Sequence, residues 1–243
     1  EARQHIPLPL SEVTLDWQAI ESSPLGEKKT SFKILLAAVP NEVINQYQEI
    51  ARISQLELFA LEAEVFSLIR SLAQEEKNTA IAMLDIGAQS TTCSIVDKGI
   101  LKMSHSFNMS GNEFTKILSK NLSIDYFEAE KLEKEYGIKG GGGKEGVKES
   151  LIPSIDAVLR EIKIIFDNFH QKGGSGIQKI ILAGGSVLLP GLKEYFAENL
   201  KIKIEIINPF SSIFYPPILE ETLAAMGPSF AIAAGAALRG WNI

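Results

Sequence analysis

Asp85-Ile86-Gly87-Ala88-Gln89-Ser90-Thr91 is the stretch whose residue types and spacing could do chemistry. Thr79 to Leu84 is an apolar, β-compatible run that stops at Asp85, and Thr91 to Val96 resumes it. That pattern predicts a buried strand, a tight turn and a second strand. A carboxylate at a strand end, followed by Gly and small hydroxyl residues, leaves backbone N–H groups where an anion can approach closely. Such a turn can hold phosphate oxygens and a hydrated Mg2+. The same Asp-x-Gly also serves ordinary hairpin turns, which is its commoner use.

A second candidate lies downstream. Lys179 to Ala183 reads as a strand running into Gly184-Gly185-Ser186, followed by Pro190-Gly191-Leu192 and a helix to about Leu200, after which Ile202, Ile204 and Ile206 alternate with polar residues. This is a βαβ unit with ligand-capable backbone at the carboxyl end of its first strand. A Gly-Gly turn there lets a flat ring lie against the main chain, because no Cβ stands in the way. A plain helix-starting turn fits the same residues.

The rest of the chain must position these two turns. Asp97-Lys98-Gly99 predicts a hairpin into a third strand, Ile100 to Ser106. Phe114, Ile117, Leu118 and Leu122 recur at helical spacing, and Ser123 is placed to cap a further helix, Asp125 to Tyr136, ended by Gly137. Gly140 to Gly143 is a glycine run without the spacing of a phosphate-binding loop and reads as flexible. A long amphipathic helix follows, with Leu151, Ile155, Val158, Leu159, Ile162, Ile165, Phe166 and Phe169 on one stripe. Near the end, Pro228-Ser229-Phe230 reads as the start of a helix of very small residues, Ala231 to Ala237, which permits a tightly packed crossing.

Ahead of the central strands, EARQHI reads as a helix tail ended by Pro7 and Pro9. Val13, Leu15, Trp17 and Ala19 alternate as a half-buried strand, Glu21 to Thr30 reads as a polar loop, and Phe32 to Val39 as the pairing strand. Pro40-Asn41-Glu42 marks the start of a helix to about Ser54. Leu56 to Leu61 reads as a short strand, Glu62 to Leu72 as a helix, and Gln74 to Asn78 as a polar link and lobe boundary.

Composition narrows the class. The chain has 243 residues, 45% of them hydrophobic, which suffices for one large domain or two lobes. A net charge of −6 gives no nucleic-acid footprint. Cys93 stands alone in a predicted buried strand, as a core residue in a reducing compartment. His5, His105 and His170 lack metal-ligand spacing. No apolar run reaching transmembrane length and no signal peptide is read, so a cytoplasmic protein is expected.

Taken in order, DIGAQST, AGGSVLLPGL and AIAAGAALRG resemble the second half of the actin-like ATPases. Within them, EARQHIPLPLSEVTLDWQAI, ILLAAVPNEVI and ILAGGSVLLPGL with INPF are similar to the PilM family of type IV pilus assembly proteins, related to the division protein FtsA. The resemblance implies an α/β, actin-like (RNase-H-like) fold of two lobes with ATP between them. Residues 1–54 would be a small inserted α/β subdomain of the first lobe, 55–78 the remainder of that lobe, and 79–243 a complete second lobe.

It also implies site roles. Asp85 would position Mg2+ through water, Gly87, Gln89, Ser90 and Thr91 would surround the β- and γ-phosphates, Gly184, Gly185 and Ser186 would contact the adenosine, and Gly235 would lie in the hinge helix. Glu62 falls where some actin-like ATPases keep a water-orienting residue, although a helix N-terminal acid explains it as well. The implied cofactors are ATP and Mg2+, with hydrolysis slow or absent. The implied partners are the cytoplasmic N-terminal tail of a PilN-like membrane protein and other pilus platform proteins. The protein would be peripheral to the inner membrane through them. A sugar kinase or an FtsA-like cytoskeletal protein is the alternative within the superfamily.

Two departures accompany the resemblance. The chain opens on Glu1, with no counterpart to the family's first phosphate loop, and Ala129-Glu130-Lys131-Leu132-Glu133 carries Glu133 where AExxK has Lys.

Overall fold

The computed structural model describes residues 2–4, 6–25, 29–72, 79–139, 145–211 and 213–241, with only the backbone of 2, 18–25, 29–33 and 241. The chain divides into two compact units, Glu1–Glu62 and Ala63–Ile243. The expected boundary at Gln74 to Asn78, the glycines 140–143 and His5 lie outside the described residues.

The first unit is a long hairpin and a helix. β1 (Val13–Leu25) pairs antiparallel with β2 (Lys29–Pro40), with one irregularity between Ala19 and Glu21. The polar stretch expected as a loop from Glu21 to Thr30 is therefore mostly strand. The ladder continues through Ser22↔Phe32 and Ser23↔Ser31, because strand length here follows backbone pairing rather than side-chain alternation. Pro40 caps α1 (Asn41–Ile53), its fixed φ of −57° suiting the residue before a first turn. Leu56 to Leu61 forms no strand, since among the described residues no neighbouring strand completes a ladder with it. The expected N-terminal helix is a single 3-10 turn, Ala2–Gln4.

The second unit is built on a five-stranded mixed sheet in the order β5-β4-β3-β6-β7. β3 (Ile81–Ile86), β4 (Thr91–Asp97) and β5 (Ile100–Phe107) form an antiparallel meander, close to the three strands expected. β6 (Lys179–Ala183) and β7 (Lys203–Ile206) join it in parallel, with Asp85 opposite Ala183.

Alternation along β3 splits the core in two. Ala82, Leu84 and Ile86 face α3 (Gly111–Leu122), α4 (Tyr126–Tyr136), α5 (Val147–Gln171) and α6 (Leu192–Leu200), in a core that includes Phe114, Leu118, Leu151, Ile155 and Phe196. Ile81 and Met83 face Leu68 of α2 (Glu64–Arg70) and Ala231 of α7 (Glu220–Ala237). Cys93 is buried in the first of these cores, as expected.

Three boundaries depart from expectation for local reasons. α2 starts at Glu64, so Glu62 precedes the helix rather than opening it. Asp125 caps α4, accepting from the N–H groups of Phe127 (2.9 Å) and Glu128 (3.0 Å), while Ser123 takes the left-handed conformation (φ 54°) that ends α3. α7 begins eight residues before Pro228, counting from Glu220, and carries this proline inside. With flanking turns it spans Pro217–Gly240, 24 residues containing an 18-residue window of mean hydropathy 1.2, long and apolar enough by length and composition to cross a membrane. Glu220, Glu221 and Pro228 obscure that length in the sequence. The helix packs on α2, where a Cβ on Gly235 would lie 1.8 Å from the Ser67 carbonyl oxygen, and Arg70 Nη1 donates to the Gly235 carbonyl at 2.9 Å. The small residues thus admit a backbone-to-backbone crossing.

Candidate nucleotide site

The two glycine turns and the elements that hold them belong to the second unit. Asp85 is the last-but-one residue of β3, and it lies on the face shared with Ile81 and Met83, toward α2 and α7. Burial, and secondarily the negative charge of Glu64 in the first turn of α2, pushes its carboxyl up to about 6. Such a carboxylate is poorly compensated by the protein and is ready to gain from a cation.

The turn after Asp85 is closed by Gly87 N–H donating to the Ser90 carbonyl (3.0 Å). Its outer carbonyls are held by the next helix. Gly111 N–H donates to the Gly87 carbonyl at 3.0 Å and Asn112 N–H to the Ala88 carbonyl at 3.1 Å. Two N–H groups of the α3 N-terminus, which lack intrahelical partners, are satisfied in this way, and the peptide planes of the turn are fixed. The backbone N–H groups of Ala88, Gln89 and Ser90 have no protein acceptor among the described residues. Gln89 and Ser90 are exposed. Thr91 is buried, and its hydroxyl donates to the Met109 carbonyl, tying down the end of the turn.

The Gly-Gly turn meets the same strand end. Gly184 has φ +90°, and a Cβ on it would come within 2.4 Å of the Ile86 carbonyl oxygen and 2.6 Å of Asp85 Oδ1. Its N–H donates to the Pro228 carbonyl at 2.9 Å, so the proline inside α7 offers an acceptor to the site. Gly185 is exposed, and a Cβ there would sit 3.3 Å from Ser229 Oγ. Ser186 packs on α3, where a Cβ on Gly111 would fall 2.2 Å from its Oγ and 3.6 Å from the Gly87 carbonyl.

The structure therefore brings Asp85, Gly87, Gln89, Ser90, Thr91, Gly184, Gly185 and Ser186 together at one end of the sheet's inner strands. Gly235 lies farther along α7, in the crossing with α2. Glu62 is the last residue of the first unit. The acid whose charge reaches Asp85 is Glu64. Sequence reasoning missed Glu64 and Gly111. For Gly111 the signal was a glycine at a helix start, where Ser, Thr, Asp or Asn is the usual choice.

The family described as Type IV pilus assembly protein PilM matches residues 1–241. A solved PilM-PilN type IV pilus biogenesis complex contains a chain with a TM-score of 0.86 and 26% identity, covering 100% of this chain and 70% of that one. The Bacillus subtilis cell division protein FtsA is 24% identical over 158 residues, which are 57% of this chain and 36% of FtsA, so this chain spans little more than a third of that relative. MreB5 of Spiroplasma citri, solved with AMPPNP, shares the fold at a TM-score of 0.61 and 16% identity over 82% of this chain and 64% of that one. The fold is that of the actin-like ATPases, in their FtsA-like branch, and the chain belongs to the PilM family of type IV pilus assembly proteins.

Proposed function

We propose that the chain acts in type IV pilus assembly as an ATP-binding component that docks the cytoplasmic tail of a PilN-like membrane protein. The observation that carries the nucleotide half is the convergence of two glycine turns on Asp85, one with pinned carbonyls and open N–H groups, the other without a side chain against the strand end. The residues fit a nucleotide. Ala88, Gln89 and Ser90 would donate to phosphate oxygens, Gly87 would allow their approach, and Gly184, Gly185 and Ser186 would carry the adenosine.

Among the described residues no group of three His, Cys, Asp or Glu gathers. A Mg2+ ion would therefore be held by Asp85, water and the phosphates rather than by a protein cage. It would supply charge neutralisation at the phosphates. Thr91, whose hydroxyl is engaged by Met109, supports the turn. Glu62 remains the proposed water-orienting residue. The MreB5 structure with AMPPNP, a relative in fold, supports nucleotide as the ligand class.

The partner half rests on the PilM-PilN complex, whose PilM chain this one resembles along its full length. The protein would then be cytoplasmic and held at the inner membrane through that partner and other platform proteins. The residues 1–54, 55–78 and 79–243 would serve as inserted subdomain, rest of the first lobe and second lobe. Isothermal calorimetry of the full-length protein with Mg·ATP, followed by fluorescence anisotropy with a labelled PilN-type tail peptide, tests both halves. Absence of ATP binding removes the first, and absence of peptide binding removes the second.

A further inference from the structure

The sheet of the second unit ends in two edge strands that meet solvent differently. β7 has 4 residues, carries Lys203 and Glu205, and is followed closely by Asn208-Pro209. Natural sheets use short, charged edges stopped by proline to refuse further strands. β5 has 8 residues and holds no proline. Lys102 is its only Lys, Arg, Asp or Glu, and it is the extra residue of a bulge. Leu101 stands opposite Val96 and Met103 opposite Ile95, so Lys102 faces no residue of β4. Beyond the bulge, Met103-Ser104-His105-Ser106-Phe107 pairs residue for residue with β4 on one side, while on its other side no described strand pairs with it. Alternate N–H and C=O groups of this segment therefore point out of the sheet as a template for one more strand.

Its side chains say which strand fits. Taken about His105, the segment is a chemical palindrome, in which Ser104 mirrors Ser106 and Met103 mirrors Phe107. Two such strands paired antiparallel about His105 would set serine against serine and methionine against phenylalanine, with the two imidazoles at the axis. The serines lie on the Asp85 face, where Ser106 Oγ is 2.8 Å from Thr92 Oγ1 and Ser104 Oγ is 2.9 Å from Ser94 Oγ. Those bonds hold the edge in shape beforehand, which lowers the ordering cost of association. Met103 and Phe107 lie on the opposite face, packed against the helical core but covered only in part. A thioether beside an aromatic ring is a favourable contact. Ser104, His105 and Ser106 are exposed.

We propose that β5 is an interface between two copies of this chain, joined antiparallel about a two-fold axis at His105 so that their two sheets become one. A closed two-fold contact requires a self-complementary patch, and each pairing away from the axis then occurs twice. An unrelated extended peptide would need no palindrome, so the sequence of the edge selects a second copy. The proposal does not depend on the nucleotide reading.

The experiment is sedimentation equilibrium of full-length wild type, His105→Lys and His105→Glu, each alone, and of an equal mixture of the two variants. Wild type should show a monomer–dimer equilibrium. Each variant alone sets two like charges opposite each other at the axis, so its dimer should weaken about fivefold or more. The mixture sets Lys opposite Glu and should restore association to at least the wild-type level. His105 is exposed, so both variants should keep the wild-type Tm by circular dichroism. Wild type that sediments as a monomer at every concentration overturns the proposal without recourse to any variant and leaves the edge to an extended peptide of another protein. A wild-type dimer that both variants leave unchanged also overturns it, because another surface then joins the copies. So does a mixture no more associated than either variant alone, since only the register centred on His105 sets these side chains opposite one another.

Discussion

The two adjacent glycines of the second turn should respond to substitution in opposite ways. Gly184 has φ 90° and ψ 159°, a region essentially closed to residues with a Cβ, which costs on the order of 1–3 kcal/mol to impose. An added Cβ would also meet Ile86 O at 2.4 Å, Asp85 Oδ1 at 2.6 Å and Ile86 C at 2.7 Å. Two of these atoms are backbone of a central strand and cannot retreat, so overpacking adds roughly 1–3 kcal/mol. Gly184→Ala should therefore lose roughly 2–6 kcal/mol, a fall in Tm of at least about 4 °C for a unit of this size. Gly185 is far less constrained: its φ is not positive, it is exposed, and the nearest atom to an added Cβ, Ser229 Oγ at 3.3 Å, is a side-chain oxygen that need give only a few tenths of an ångström. Gly185→Val should leave Tm within about 2 °C, in keeping with exposed substitutions that stay near ±0.5 kcal/mol, while the side chain fills the space over which a base or ribose would lie and weakens ATP binding tenfold or more. Thermal unfolding by circular dichroism and ATP titration of both variants decide the matter. A stable Gly184→Ala protein would refute the packing argument, and an unfolded Gly185→Val protein would show that glycine to be structural and leave the adenosine assignment unsupported.

Asp85→Ala in a folded full-length protein should weaken Mg·ATP binding tenfold or more, about 1.4 kcal/mol, and an unchanged titration would end the cation role of Asp85. The raised carboxyl of Asp85, at about 6, favours its protonated form in the folded state. Its contribution to stability is thus present below the unfolded value near 4 and is lost as pH rises through about 6, for a difference of about 3 kcal/mol. Urea midpoints should accordingly show Asp85→Asn gaining on wild type between pH 4 and 7, and a pH-independent difference would contradict it. Gly235→Ala places a Cβ 1.8 Å from Ser67 O across a helix crossing, so it should destabilise by more than about 2 kcal/mol, whereas a wild-type Tm would mean that α2 and α7 separate at little cost.

Where the hydrophobic period was long and uninterrupted, the elements were legible. β3, β4 and α5 fall within a few residues of expectation because the two strands are apolar runs buried on both faces and the helix buries one continuous stripe, and β5 follows from the turn that precedes it. The failures share a cause, which is that a boundary was decided by partners distant in sequence. The hairpin of the first unit runs on because its strands pair through Ser22 and Ser23, and Leu56 to Leu61 stays irregular because none of the described strands pairs with it. α7 continues through Pro228, whose carbonyl serves Gly184 instead of marking a start. The candidate site was legible as an order of turns, since strand-end glycines announce themselves locally. Glu64 and Gly111 were not, because each matters only through an element that packs on it from elsewhere.

Asp85 connects these energetics with function. A half-buried carboxyl at a strand end, facing another acid and closed on one side by Gly184, is a poor choice for stability, and an apolar residue would suit the Ile81–Met83 face better. The surrounding structure nonetheless fixes it there with unusual economy of space. Gly184 lacks the side chain that would displace it, the α3 N-terminus clamps the turn that follows it, and Pro228 holds Gly184 in its strained conformation. Rigid elements that converge on a destabilised charge are what a cation-dependent ligand site requires, because the ligand then recovers the destabilisation on binding. The same logic separates Asp85 from Glu205 on the edge strand β7. There Lys179 and Lys203 lie at 2.9 and 2.6 Å and hold the carboxyl below its ordinary range, so that acid is already satisfied by the protein and has nothing to gain from a ligand.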